Sequence, residues 1–296
     1  MNIEEIKQKK TTSELLEFGI INIDKSSGPT SFSVSEFVCK KLNLRKTSHF
    51  GTLDPKVTGV LPVALNRACK LTGYFLGEDK EYVGVMRIHD NMDIEEIKKA
   101  IEEKFIGKIT QMPPVKSRVK RQNREREIYS FELLEQGSDK KDILFKVKCE
   151  GGTYIRKLID DLGTEIKIGA HMLELRRMSA GIFYEDNKEY PAVNLYDFEK
   201  AVDEFHNGND KSLRNILIPA EIVGNVYPAL EIRDDDLKQI LTGKPLHKKD
   251  VIKDEGWKVN SIISCFCNSR FIGMYKIFRG KEIFAKAEFV MQDMRG

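Results

Sequence analysis

His49-Phe-Gly-Thr-Leu-Asp54-Pro-Lys-Val-Thr-Gly-Val-Leu-Pro62 is the stretch on which the reading of this chain turns. It sets one carboxylate, Asp54, between turn-forming residues and close to a histidine. Pro55 locks its own φ and biases Asp54 towards an extended backbone. Gly51 and Gly59 permit a tight path and close approach by another group. The apolar run from Val60 to Leu65 then reads as a short strand. One reactive side chain on a rigid turn is how a catalytic loop is written. The same letters also suit an ordinary Asx-turn between two elements, so this stretch alone leaves both readings open.

Composition narrows the class. The chain has 296 residues, enough for one large domain and a small one. Charged residues make up 32% and hydrophobic ones 41%, the balance of a soluble globular protein. The formal net charge is only +3, so any nucleic-acid signal must come from local clustering. No apolar run approaches the roughly 18–20 residues needed to span a bilayer. The first ten residues lack the layout of a signal peptide. The five cysteines, at positions 39, 69, 149, 265 and 267, are odd in number and scattered, which fits a reducing cytoplasm. Cys265 and Cys267 have no second Cys or His pair at zinc spacing nearby, so no metal site is expected.

Outward from the central stretch, the pattern mixes helices and strands without strict alternation, which argues for an α+β fold. Residues 1–18 read as an arm with a short helix, and Ile20, Ile21 and Ile23 as a strand. Ser31 or Ser33 is placed to cap a helix reaching about Leu42. Tyr82–Ile88 reads as a strand. Asp93 caps an amphipathic helix with Ile94, Ile97, Ile101 and Phe105 at helical spacing. Strands are expected at about 128–135 and 143–149, joined by a turn-rich hairpin loop. Thr153–Leu162 reads as a helix stopped by Gly163. Polar stretches at 185–189 and 203–212 read as loops. From about Tyr227 short alternating apolar runs (Ile262–Phe266, Ile272–Ile277, Ile283–Ala287) suggest a small β-barrel.

Six basic residues, Lys116, Arg118, Lys120, Arg121, Arg124 and Arg126, fall within eleven positions after Pro113-Pro114, with Tyr129 just beyond. Such a run is usually a solvated face. It is also the composition that contacts phosphates.

The central stretch resembles the catalytic motif of the TruB/dyskerin family of RNA pseudouridine synthases. Further segments match the same family in the same order. They are Gly19-Ile-Ile-Asn-Ile-Asp-Lys25 with Gly28-Pro-Thr-Ser31, then Lys80-Glu-Tyr82-Val and Pro113-Pro-Val-Lys-Ser117. Gly152-Thr-Tyr-Ile-Arg156-Lys-Leu and His171-Met-Leu-Glu-Leu-Arg-Arg177 complete the series. Each is weak alone; together, over residues 19–183, they are specific. The form Lys-Glu-Tyr-Val-Gly-Val-Met and the basic stretch look more like the archaeal dyskerin homologue than the bacterial branch.

The resemblance implies a pseudouridine synthase fold with a mixed, largely antiparallel central sheet and a small C-terminal PUA-like β-barrel. It divides the chain into an N-terminal arm (1–18), which packs on the C-terminal domain in archaeal relatives, a catalytic domain (19–222) and an RNA-binding domain (223–296). The implied reaction breaks the bond from ribose C1′ to uracil N1 and rejoins the turned base through C5. It needs no cofactor, metal or redox step. Asp54 matches the essential carboxylate, Arg156 the arginine that pairs with it, and Tyr82 the tyrosine that stacks on the flipped uracil. Residues carried over as RNA-binding are Lys25, His49, Lys116, Arg118, Lys120, Arg121, Arg176 and Arg177, with Lys25 expected either to support the catalytic loop or to contact phosphate, and the two arginines to point to RNA or to carboxylates. A solvated strand-end lysine and a structural histidine are the other readings of Lys25 and His49. Phe50 departs from the family, which usually carries Gly or Thr there, so its ring either reshapes the loop or adds stacking.

The implied partners are tRNA and/or rRNA, an H/ACA guide RNA and the small H/ACA ribonucleoprotein proteins, with no membrane. A guide-dependent enzyme is the favoured expectation. A stand-alone enzyme acting on the T-loop of tRNA is the alternative, and a catalytically silent RNA-binding or RNA-folding protein is the rival from another class. A phosphorylated-aspartate role for Asp54 fits poorly with Pro55 and with the lack of a second carboxylate motif.

Overall fold

The computed structural model describes residues 2–113 and 120–292. The chain forms two compact units, Thr12–Ile218 and a smaller one that joins Met1–Thr11 to Pro219–Gly296. In the smaller unit, helix α1 (Ile3–Lys9) is capped by Asn2, whose side chain accepts a hydrogen bond from the Glu5 amide at 3.1 Å.

The larger unit runs through α2 (Thr12–Glu17), β1 (Gly19–Lys25), α3 (Ser31–Lys41), β2 (Thr47–His49) and β3 (Thr58–Leu65). Next come α4 (Thr72–Leu76), β4 (Lys80–Ile88), α5 (Ile94–Lys104), β5 (Gly107–Gln111), β6 (Arg124–Gln136) and β7 (Asp142–Cys149). It ends with α6 (Ile155–Glu165), β8 (Ala170–Ala180), β9 (Phe183–Tyr184), β10 (Val193–Asn194), α7 (Leu195–His206), α8 (Lys211–Ile216) and β11 (Leu217–Pro219). The strands make one mixed sheet of 11 in the order β10-β1-β3-β8-β4-β7-β6-β5, with β2 also pairing β3, β9 pairing β8 and β11 pairing β1. Pairing is largely antiparallel; β1 with β10 and β3 with β8 are parallel. The sheet is the α+β architecture expected from the sequence pattern.

Alternation decides which face is covered. Along β4, Tyr82, Met86 and Ile88 are buried, and along β7 Ile143, Phe145 and Val147 are too. Ile97 and Ile101 of α5 and Leu158, Ile159 and Leu162 of α6 belong to the same core. Each such side chain contributes roughly 1.5–3 kcal/mol by leaving water.

Several local expectations change. Thr30, not Ser31 or Ser33, caps α3, its side chain accepting from the Ser33 amide at 3.0 Å. The helix expected to stop at Gly163 continues through it to Glu165. A Cβ at 163 would lie 2.0 Å from the Ala170 nitrogen, so this glycine permits close approach of helix to strand, not termination. Residues 203–206 end α7 and 211–212 begin α8, because Phe198, Ala201 and Val202 give α7 a buried face. The strand expected from about 128 already begins at Arg124.

The smaller unit continues with β12 (Ala229–Glu231), α9 (Leu237–Leu241), β13 (Leu246–His247), β14 (Ile262–Cys267), β15 (Arg270–Ile277) and β16 (Ile283–Val290). Its five-stranded sheet, ordered β12-β14-β15-β16-β13, encloses a core that includes Ile263, Cys265, Ile272, Tyr275 and Phe284. This is the small C-terminal β-barrel expected from the alternating runs. Lys10 Nζ meets Glu221 Oε1 at 2.5 Å within this unit. Cys39, Cys69, Cys149, Cys265 and Cys267 are all free thiols.

Candidate active site

Strand register assembles the site. Lys25 on β1 pairs with Gly59 on β3, Gly59 with Arg177 on β8, and Arg177 with Tyr82 on β4. Residues from four distant parts of the chain thus form one row across the sheet. The Asp54 loop, residues 50–57, enters β3 at the end of this row.

The loop is braced from behind. Lys25 is fully buried, and its ammonium donates to the carbonyls of Ser26 at 2.9 Å, Pro55 at 3.0 Å and Val57 at 2.7 Å. The Ser31 hydroxyl donates to the Leu53 carbonyl at 3.0 Å and accepts from the Leu53 amide at 2.8 Å. Arg177, also buried, donates through Nε to Val60 O at 2.7 Å and through Nη2 to Gly51 O at 3.1 Å. Gly51 and Gly59 have φ of +92° and +102°. A Cβ on Gly59 would strike the Arg177 carbonyl at 2.2 Å, so this crossing admits glycine alone. Leu53 and Val57 are buried on either side of Asp54, and the Val57 amide donates to the Asp54 carbonyl at 3.0 Å. The turn therefore presents Asp54 outward, between two side chains anchored in the core.

Arg156 reaches that carboxylate. It lies in the first turn of α6, and its Nη2 donates to Asp54 Oδ2 across 102 residues of sequence. The pair is open to solvent, with side chains 60% and 49% exposed. An ion pair in that setting contributes about 0–1 kcal/mol to stability, so its placement is not explained by folding energy.

Tyr82 is buried at the next position of the row, where burial raises its phenol pKa and Arg177 opposes the rise. Burial lowers the pKa of Arg177. It also lowers that of Lys25, against the pull of the Asp54 charge. Lys80, two residues before Tyr82, is brought down to about 8 by burial first and by Arg177 second. Its ammonium donates to the Leu76 carbonyl at 2.9 Å and also to that of Glu78.

These bonds place Lys25 in support of the loop and turn Arg176 to carboxylates, each one of the two roles expected of it. Lys25 and Arg177 are not surface cations; their donors are spent on backbone carbonyls behind the loop. Arg176 turns to carboxylates, Glu185 at 2.6 Å and Asp24 at 3.0 Å. His49 is half-buried at the loop's start, with Nε2 3.3 Å from Thr52 Oγ1. Lys120 and Arg121 are exposed. Lys116 and Arg118 lie outside the described residues. Phe50 is core, 1% exposed, stacked on Phe75 at 4.6 Å and tilted against Phe183 at 6.0 Å. Its ring reaches inward and presents no face for a base. Leu173 is exposed whereas Leu175 is buried, because the register shift between Val85 and Met86 breaks the alternation of β8 there.

Ser31 belongs to this framework, although sequence reasoning gives it no place in the site. It stands inside a family-like motif; only its bonds to Leu53 reveal it as a brace.

Residues 39–155 match the TruB family pseudouridylate synthase N-terminal domain, and residues 156–223 the tRNA pseudouridylate synthase B C-terminal domain. A protein named probable tRNA pseudouridine synthase B from Methanopyrus kandleri is 40% identical over 261 residues, 88% of this chain and 75% of that one. The protein of the same name from Sulfurisphaera tokodaii is 40% identical over 257 residues, 86% of this chain and 74% of its own. This chain belongs to the TruB family of pseudouridine synthases. The synthase also superposes on a chain of a Cbf5-Nop10-Gar1 complex with a TM-score of 0.88 and 34% identity, covering 97% of this chain and 89% of that one. A chain of an H/ACA ribonucleoprotein bound to a substrate RNA containing 2′-deoxyuridine gives 0.86 and 32%, with the same coverage. In the synthase, among the described residues, no group of three or more His, Cys, Asp or Glu is arranged to hold a metal ion. No described helix is long and apolar enough to cross a membrane.

Proposed function

We propose that this synthase isomerises uridine within a guide-dependent H/ACA-type particle, with the Asp54 carboxylate acting on the target nucleotide. The observation that carries this reading is the Asp54–Arg156 pair on a loop held by Lys25, Ser31 and Arg177. Arg156 holds the carboxylate in one orientation through a charge-assisted hydrogen bond. A flipped uridine laid over the open pair would take it out of water, where the same charges interact several times more strongly. Tyr82 forms the wall against which the base rests. The smaller unit, Pro219–Gly296 with the first residues of the chain, is a PUA-like domain that positions RNA. Lys120 and Arg121, with the neighbouring basic residues, contact phosphates.

Guide dependence is supported by the likeness to chains solved within H/ACA complexes, over 97% of this chain. On that reading the partners are a guide RNA, tRNA or rRNA substrate and the small proteins of such a particle. The names of the related archaeal proteins favour a second reading, action on tRNA. Both are tested together by incubating the purified chain with tRNA transcripts, with and without guide RNA and partner proteins, and mapping pseudouridine. Asp54→Asn removes the charge without changing shape and is expected to abolish single-turnover isomerisation while RNA binding persists. Appreciable turnover by that variant would remove Asp54 from the chemistry.

A further inference from the structure

Gln111 is the last residue of β5 and is 2% exposed, on a strand whose neighbouring positions are more open. Its side chain pairs with backbone. Nε2 donates to the Tyr154 carbonyl at 3.2 Å, and Oε1 accepts from the Tyr154 amide at 3.0 Å. Tyr154 is the residue at the N-terminus of α6, and it offers no side-chain cap to the helix. Arg156 stands two positions further on. A buried primary amide that pairs with both polar groups of one peptide residue fixes that residue in translation and rotation.

The same edge of the sheet grips the turn before α6 at other points. The Glu150 amide donates to the Glu127 carbonyl at 2.8 Å, and the Glu127 amide to Glu150 Oε2 at 3.2 Å. The Arg126 guanidinium lies so close to Gly152 that a Cβ there would sit 3.1 Å from Nη2. These three interactions hold the turn against β6. The Gln111 amide instead holds the residue from which the helix itself starts.

We infer that Gln111 is a positioning residue for the reaction: its amide clamp on Tyr154 sets where the first turn of α6 begins, and so where Arg156 meets Asp54. It touches neither substrate nor carboxylate and acts through Arg156. The inference rests on the reading of Asp54 and Arg156 as the reacting pair. A displacement of about 1 Å in such a pair typically costs on the order of a hundredfold in rate.

The test compares Gln111→Met and Gln111→Glu with wild type in single-turnover assays at saturating RNA, with RNA affinity and circular dichroism measured in parallel. Gln111→Met keeps the volume and loses both hydrogen bonds. Its rate is expected to fall by about tenfold to a hundredfold with RNA affinity unchanged. Gln111→Glu keeps the acceptor and loses the donor when ionised. Its rate is therefore expected to recover towards wild type as the pH falls and the carboxyl becomes protonated, a profile that a purely structural role would not produce. A double-mutant cycle locates the effect. In an Arg156→Lys background, Gln111→Met should lower the rate further by less than about twofold. A full additional loss in that background, or a well-folded Gln111→Met enzyme with the wild-type rate, would overturn the role given to Gln111. Asp54→Asn is run beside them. Activity in that variant overturns the underlying assignment of the pair, whereas an inactive Asp54→Asn with additive Gln111 and Arg156 effects overturns only the clamp.

Discussion

Replacing Phe50 by alanine should unfold the larger unit far more readily, although the residue sits in the loop that carries Asp54. A phenylalanine buries about 150–250 Å², and Phe50 is 1% exposed. At about 25 cal/mol per Å² that burial amounts to some 4–6 kcal/mol, of which the alanine methyl keeps about 1 kcal/mol. A loss of about 3–5 kcal/mol remains, the usual range for this truncation in a core. Much of the roughly 5–15 kcal/mol that holds an ordinary domain together would be gone. Phe50→Leu keeps most of the apolar volume and forfeits the ring pairings with Phe75 and Phe183, so about 1–3 kcal/mol is expected. Urea unfolding followed by near-ultraviolet circular dichroism measures both, and Thr12–Ile218 is the unit whose transition should move. Folded Phe50→Leu should keep its single-turnover rate at saturating RNA within about threefold, because the ring faces the core. A Phe50→Ala cost under about 1 kcal/mol would refute the packing argument. So would a Phe50→Leu enzyme of wild-type stability that binds RNA tenfold more weakly, since that would place the ring against RNA.

Arg156→Lys should lose much of the activity, because an ammonium cannot present the planar guanidinium fork to Asp54; near-normal single-turnover rates would contradict the pairing's importance. Lys80 carries a pKa lowered to about 8, so its buried ammonium costs stability below that pH, and the cost is lifted as pH rises from about 8 towards 10.5. Wild type should therefore gain about 2–3 kcal/mol relative to Lys80→Met across that window, measured by denaturant titration at several pH values, and a pH-independent difference would exclude the effect. Replacing Lys116, Arg118, Lys120 and Arg121 by alanine should weaken RNA binding and reduce the slope of log affinity against log salt. The reduction should be about 0.7–0.9 for each phosphate that is no longer neutralised, and an unchanged slope would make the run a solvated surface.

Local chemistry alone determined a good part of this protein. Gly51, Pro55 and Gly59 specify a turn because φ is a property of single residues, and Asp54 is readable as the carboxylate that turn carries. The amphipathic spacing of Ile97 and Ile101 specifies α5, with Asp93 capping it through the Glu95 amide at 2.9 Å. Alternation in β4 is legible for the same reason: side-chain period is written into consecutive residues. Gly163 shows where that code ends, since a helix stop and a close crossing call for the same residue, and only the Ala170 nitrogen distinguishes them.

Tertiary structure decided everything that depends on who stands opposite. Lys25 and Arg177 carry the same charge as any surface cation, and nothing in their immediate neighbours announces that they bind carbonyls 32 and 117 residues away. Phe50 reads in the sequence as a ring that either reshapes the loop or adds stacking, and it is a core ring, because Phe75 and Phe183 close over it. Gln111 carries no signal at all until strand β5 sets it beside Tyr154. A sequence states which groups are available and how the chain bends locally. Whether a donor is spent on the protein's own backbone or left for a ligand depends on desolvation and distance, and those exist only once the sheet has brought β1, β3, β8 and β4 into one row.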